Sequence, residues 1–309
     1  MIKRTLIITV LLLASIKVLS QNQYLFNHYI ANQGILNPAY NGSRDVISGM
    51  MLHRSQWITF PGAPMTDAIN IHGAIEETNI GVGGTIVNNH LGFSNDLDIM
   101  AAGSYTLNLD RGEKKLMFGL QIGASSMVFD GTKAITEKFG DPVFNGKTSR
   151  IFFNAGFGTY FFTDDYFVGL SIPKFFSNSF NEDYEQFRNE LNFKNLHTYI
   201  YGGYIFEWGL VKVRPSLLTK FVYGAPMQFD FSVCVLLIEQ LWLGLSYRTT
   251  NQAVFITEYI INRQFTVRYS FDYPFSPIAR YAVAGSHEIS LQFDFNFNKR
   301  PGMKTIRHW

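Results

Sequence analysis

From Val211 to Arg248 apolar and polar residues alternate three times in succession. Val213, Leu217 and Phe221 interleave with Arg214, Ser216, Leu218 and Lys220. Phe229, Phe231, Val233 and Val235 interleave with Asp230, Ser232 and Cys234. Leu241, Leu243, Leu245 and Tyr247 interleave with Trp242, Gly244, Ser246 and Arg248. A period of two with one apolar face is the mark of a strand. The same rhythm predicts fourteen strands: 45–57, 65–76, 79–89, 94–108, 115–129, 149–162, 166–173, 196–206, 211–223, 226–237, 241–250, 253–261, 265–273 and 285–297. No helical period is sustained anywhere. The best helix candidate, Asn181 to Leu191, falls inside a loop. Turns centred on Ala225, Glu239 and Arg263 would set Lys220 opposite Asp230, Asp230 opposite Arg248, and Glu258 opposite Arg268.

The connections choose the architecture. Those after even-numbered strands are short (Glu77-Thr78, Thr163 to Asp165, Ile238 to Gln240). Several after odd-numbered strands are long (Asp130 to Thr148, Lys174 to Asn195, Pro274 to Ala284). Short turns at one end and long loops at the other is the layout of an outer-membrane barrel, whose tilted crossings take about 9–11 residues. The fold class expected is therefore all-β, a single antiparallel transmembrane β-barrel of about fourteen strands over 45–297. Composition agrees: 16% of the 309 residues are charged and 16% aromatic, against roughly 25% charged in ordinary soluble proteins. Aromatics at Phe152, Phe153, Phe157, Tyr160 to Phe162, Tyr166 and Phe167, and again at Tyr199, Tyr201, Tyr204, Phe206 and Trp208, are expected to form an interfacial girdle. A net charge of +2 offers no basic stripe for nucleic acid.

Residues 1–20 read as a secretory signal peptide, with Lys3 and Arg4 ahead of the apolar run Leu6 to Ala14. Residues 21–44 lack strand rhythm and carry Asn-Pro and Asn-Gly turn signals; they are expected to face the periplasm, as is the basic tail 298–309. Cys234, the single cysteine, cannot form an internal disulfide. The seven histidines (His28, His53, His72, His90, His197, His287, His308) show no metal-ligand spacing, so no metal or cofactor is expected. Asp96 and Asp98 share a strand face, where a solvated pair is the plainer reading and a cation site the sharper one. The run Gly81 to Gly84 lies inside a strand pattern and lacks the Lys-Ser/Thr of a phosphate loop. Its glycines are read as allowing bending or the close approach of a plug. Ser286-His287-Glu288 looks like a hydrolase fragment, but neighbouring side chains on a strand point to opposite faces and cannot form a triad. Lys220, Asp230, Arg248, Glu258 and Arg268 would line the lumen, because Lys or Arg on the lipid face costs about 2–4 kcal/mol at the midplane. There they would either grip a polypeptide or filter solutes, or else brace the wall as buried ion pairs; the bracing reading is preferred.

Seven stretches, in order along the mature chain, resemble the PorP/SprF family of outer-membrane proteins of the type IX secretion system in Bacteroidetes. They are Leu36-Asn37-Pro38-Ala39-Tyr40-Asn41-Gly42; Arg54-Ser55-Gln56-Trp57 with Pro61 to Pro64; Val168 to Pro173; Arg214-Pro215-Ser216 through Lys220; Gly224 to Asp230; Trp242 to Arg248; and Gly285-Ser286-His287-Glu288-Ile289. Asn41 and Phe231 depart from the family's usual residues. The resemblance implies a non-enzymatic outer-membrane component that supports export or surface anchoring of a large secreted protein with a C-terminal sorting domain, such as a gliding adhesin. Its implied partners are outer-membrane lipid, that cargo and the periplasmic secretion machinery, with the loops Asp130–Thr148 and Lys174–Asn195 facing the cargo. The alternatives are a passive channel or solute-uptake barrel, and an outer-membrane hydrolase, which the strand geometry of Ser286 and His287 disfavours.

Overall fold

The computed structural model describes residues 25–31, 33–44, 46–133, 146–181, 186–191, 193–209, 211–275 and 284–295. Residues 1–24, where a signal peptide is expected, the C-terminal residues 296–309 and most of the loop after Asp130 lie outside them. The strands are β1 (Ile47–Ser55), β2 (Met65–Ala74), β3 (Ile80–Leu91), β4 (Ser94–Leu109), β5 (Lys114–Asp130), β6 (Lys147–Phe162), β7 (Tyr166–Ile172), β8 (Phe176–Asn181), β9 (Gln186–Leu191), β10 (Thr198–Tyr204), β11 (Phe206–Trp208), β12 (Val211–Phe221), β13 (Gln228–Leu237), β14 (Leu241–Arg248), β15 (Gln252–Ile260), β16 (Phe265–Pro274) and β17 (Ser286–Phe295).

All but β8 and β9 form one antiparallel ring. β1 pairs with β17, and β10 pairs with both β7 and β12, so no edge remains. β10 and β11 are one crossing interrupted at Ile205, so the wall has fourteen crossings. The interruption has a local cause. Gly203 pairs with Ser216 and Phe206 with Val213, which puts Pro215 beside the gap, and proline has no N–H for the ladder. Closure matters in lipid, where an unpaired backbone group costs several kcal/mol.

The two faces of the wall sort as the alternation predicts. Leu120, Ile122, Phe231, Val233 and Leu245 are exposed on the outside, while Ser232, Cys234, Trp242 and Ser246 are buried within. The second and third turns fall in the expected register, pairing Asp230 with Arg248 and Glu258 with Arg268. The first is shifted by two residues. Lys220 pairs with Gln228 and Asp230 with Leu218, because the turn centres on Gly224, whose φ of 77° suits glycine. Lys220 therefore faces inward, but not opposite Asp230.

Two further expectations are corrected. Gln186–Leu191, inside the helix candidate, is a strand that pairs with β8 as a hairpin. The aromatic girdle is only half a girdle. Phe161, Tyr166, Tyr204, Phe206 and Trp208 run as a ladder of rings with centroids 4.5–6.2 Å apart. Tyr160, Phe162, Phe167, Tyr199 and Tyr201 instead turn inward and are buried.

What buries them is the N-terminal segment. Residues 21–44 are expected to face the periplasm, yet within them Phe26, Tyr29, Leu36, Ala39 and Tyr40 are buried against the inward faces of the strands. The barrel is filled by its own N-terminus.

Candidate functional site

The segment inside the lumen has three anchorages, each made by sequence features with a local physical reason. The first lies toward the long-loop end, where β16 finishes and β17 begins. Glu288 is fully buried. Its Oε2 accepts the backbone N–H of Asn27 at 2.9 Å, and its Oε1 accepts that of His28 at 2.9 Å. The His28 ring Nδ1 lies 2.9 Å from the same Oε1. Arg54, on β1, donates to Glu288 at 3.1 Å and to Asp272 on β16 at 2.5 Å. The Asn27 side chain completes the knot: its amide donates to Asp272 and Ser270, and its oxygen accepts from Arg248 at 3.1 Å. Arg248 in turn holds Asp230 through Nε at 3.0 Å and Nη2 at 2.7 Å. Buried charges persist only when paired and hydrogen-bonded; one asparagine of the plug joins two such pairs of the wall.

The second anchorage is the turn Asn37–Asn41. Pro38–Tyr40 form a single 3-10 turn, capped by the Asn37 side chain, which accepts the Ala39 N–H at 2.9 Å. Asn at the cap and Pro at the first position are preferred there. The same Asn37 amide donates to the Thr159 carbonyl at 2.9 Å and lies 3.2 Å from the Tyr201 hydroxyl. The wall is thinned to receive this turn. A Cβ added at Gly81 would overlap Asn41 and Gly42, at Gly83 the Asn41 side chain, at Gly119 the Pro38 and Ala39 backbone, and at Gly158 the Asn37 side chain. The glycine run in β3 thus serves the close approach of a plug. Ser104 also donates to the Asn41 carbonyl, and Tyr40 meets His72 and Tyr160 edge-on at 5.2 and 5.4 Å.

The third lies at the short-turn end, where the chain leaves the lumen for β1. Gly42 turns with φ 85°. Arg44 donates to Asp294 at 2.6 Å, and Ser48 and Gln292 hold the same carboxylate. Gln292 accepts from Arg268, which is paired with Glu258 at 3.0 Å. Arg214 lies 3.7 Å from Glu258 and stacks over the Trp242 ring at 4.4 Å. Between the ends, the Tyr29 hydroxyl donates to Ser216 at 3.1 Å.

The structure therefore brings together Asp230 with Arg248 and Glu258 with Arg268, and leaves Lys220 out of both pairs. Asn37, Pro38, Ala39, Gly42, Ser216 and Glu288 lie where plug meets wall. Gln56, Trp57, Gly285 and Ser286 shape the mouth: the Gln56 N–H donates to Pro64, the Trp57 N–H to the Ser286 hydroxyl, and Ile58 to the Gly285 carbonyl. Pro215 breaks the ladder as described. His287 points away from Glu288, toward the Tyr269 hydroxyl at 2.7 Å, so Ser286, His287 and Glu288 form no triad. Asp98 does hold a cation, the ammonium of Lys174 at 2.6 Å. Among the described residues no group of three or more His, Cys, Asp or Glu side chains could hold a metal. Sequence reasoning missed Asn27, His28, Asp272 and Asp294. Only the charges on strand faces that should be apolar or solvated could have pointed to the last two.

A closed fourteen-crossing wall, apolar outside and charged within, defines a β-barrel membrane protein of the outer-membrane type. The sequence profile of the family described as "Type IX secretion system membrane protein PorP/SprF" matches residues 18–293, and the chain belongs to that family. No curated protein matches it. Solved barrels do. The CymD monoaromatic hydrocarbon channel is 11% identical with a TM-score of 0.50, over 85% of this chain and 93% of that one. The Acinetobacter baumannii outer membrane protein Omp33 is 9% identical with a TM-score of 0.43, over 81% and 96%. The KdgM porin is 10% identical with a TM-score of 0.37, over 81% and 99%. The likeness to the CymD channel, at 11% identity, speaks for the barrel fold alone.

Proposed function

We propose that this protein is a non-enzymatic, plugged barrel of the type IX secretion system that supports export or surface anchoring of a large secreted protein, rather than a passive solute channel. The observation that carries the reading is the filled lumen. Residues 25–31 and 33–44 lie in the interior, tied to the wall at one end by backbone hydrogen bonds to the buried Glu288 and at the other by the Arg44–Asp294 ion pair. A solute channel needs a continuous aqueous path, whereas an anchor needs a rigid wall and loops that can be reached from outside. In this reading the short-turn end faces the periplasmic machinery, and the connections 130–148 and 174–195 face the cargo. Asp230–Arg248 braces wall to plug through Asn27, and Glu258–Arg268 braces wall to wall, instead of gripping a passing chain. The cargo is a surface protein with a C-terminal sorting domain, of which a gliding adhesin is one kind, and the host a Bacteroidetes-type bacterium.

The test is purification of the tagged full-length chain from membranes of its own host under mild detergent. An intact, very large surface protein retained with it supports the reading. Recovery of the barrel alone, from cells that display such proteins normally, contradicts it.

A further inference from the structure

The plug has a direction. Asn27 and His28 are held by Glu288 near the start of β17, Asp272 near the end of β16 and Arg248 at the end of β14. All three are the long-loop ends of their strands. The Tyr29 hydroxyl reaches Ser216 and Ser232, in the middle of β12 and β13. Asn41 and Gly42 press on Gly81, the second residue of β3, near its short-turn end. Arg44 pairs with Asp294, one residue before β17 finishes. From Asn27 to Arg44 the plug thus descends the lumen, from the long-loop end to the short-turn end, and there it runs on into β1.

The chain ahead of Leu25 has no way back down the barrel. Phe26 and Tyr29 are 0% and 1% exposed, so the lumen below the first anchorage is already packed around the plug. The surrounding ring is closed. Backbone that left through the wall into lipid would have unpaired polar groups, at several kcal/mol each. The long-loop mouth is the way that is left, and in outer-membrane barrels the longer loops are the extracellular ones.

We infer that the polypeptide ahead of Leu25 is displayed on the external face of the barrel, at the mouth, and forms part of the surface that an external partner meets. Its nearest residues, Asn22, Gln23 and Tyr24, carry two amides and a phenol and no charge. Such groups both donate and accept hydrogen bonds, and the partner they fit is an extended polypeptide whose backbone does the same. If the barrel serves a secreted surface protein, as proposed above, that protein is the partner; the placement itself follows from the direction of the plug. A partner bound there acts on the outer anchorage at Glu288 alone, because the inner end is continuous with β1.

The experiment is cysteine labelling of the full-length chain in intact cells with a membrane-impermeant maleimide. Cys234 is the single cysteine and is 1% exposed, so wild type is the blank. Gln23→Cys is compared with Phe60→Cys, in the connection from β1 to β2 at the long-loop end, and with Gln264→Cys, in the short turn from β15 to β16; both control positions are exposed. Gln23→Cys and Phe60→Cys should gain label on intact cells, and Gln264→Cys only once the outer membrane is permeabilised. Gln23→Cys that labels only after permeabilisation, or not at all, overturns the inference. Should that variant fail to reach the membrane, Asn22→Cys is read in the same way. Surface labelling of Gln23→Cys with no surface protein co-purifying would remove the proposed function and leave this placement standing.

Discussion

Replacing Glu288 by Ala should loosen the plug without opening the wall. The carboxylate accepts two backbone N–H groups of the plug, from Asn27 and His28, and one Arg54 nitrogen, at 2.9, 2.9 and 3.1 Å. A buried donor left unpaired costs about 1–3 kcal/mol, and removing one member of a buried ion pair about 3–5 kcal/mol. The two costs overlap here, since Arg54 keeps Asp272. A net loss of about 4 kcal/mol is therefore expected, or roughly a thousandfold in the opening equilibrium of this anchorage. The cost falls on plug docking, because β17 pairs with β1 and β16 through its backbone. Amide hydrogen exchange reads such local opening directly. The Asn27 and His28 amides should exchange about a thousandfold faster in Glu288→Ala, with the β1–β17 ladder still protected. Unchanged exchange at those two amides would refute the assignment of Glu288 as the plug's anchor.

Asp230→Ala should leave Arg248 buried without its carboxylate and cost about 3–5 kcal/mol, seen as an earlier loss of heat-modifiable mobility on gels; unaltered mobility and expression argue against the brace. Gly119→Val should expel the Pro38–Ala39 turn from β5, because its side chain would occupy the place of their backbone; protease should then cut within residues 25–44, where wild type resists. His197 lies outside the membrane-crossing strands. Its burial, followed by the nearby Lys220 and Lys174, depresses its pKa to about 3. The unfolded chain, with an ordinary histidine pKa of about 6.5, binds the proton first, so this group lowers stability as pH falls from about 6.5 toward 3. His197→Gln should accordingly lose less melting temperature than wild type between neutral pH and pH 4, and identical pH profiles would contradict the shift.

The wall was legible because every crossing buries one face and exposes the other, which imposes a period of two even where the turn residues are poor guides. Ile238 and Glu239 turn with φ of 55° and 58°, a conformation that favours glycine or asparagine, yet the alternation on either side placed that turn correctly. The turn between β12 and β13 was misplaced because Val222 to Met227 carries no such constraint, and the shift by two took Lys220 away from Asp230. The plug was not legible as a plug. It touches many strands through single residues, so it has no period of its own, and its partners are far apart in sequence. Its imprint lay in the wall instead, in inward glycines such as Gly81 and Gly119 and in charges such as Arg54 and Glu288. The inward aromatics mimic a lipid girdle in the sequence for the same reason: Tyr160 and Tyr201 face a buried surface made by Tyr29, Ile30, Leu36, Ala39 and Tyr40.

The plugged lumen is tested most directly by the conductance of the purified full-length chain in planar lipid bilayers. The account predicts membranes that stay silent when the protein inserts, with stepwise conductance only after residues 25–44 are removed or unlatched. A steady open channel from the intact chain would contradict it.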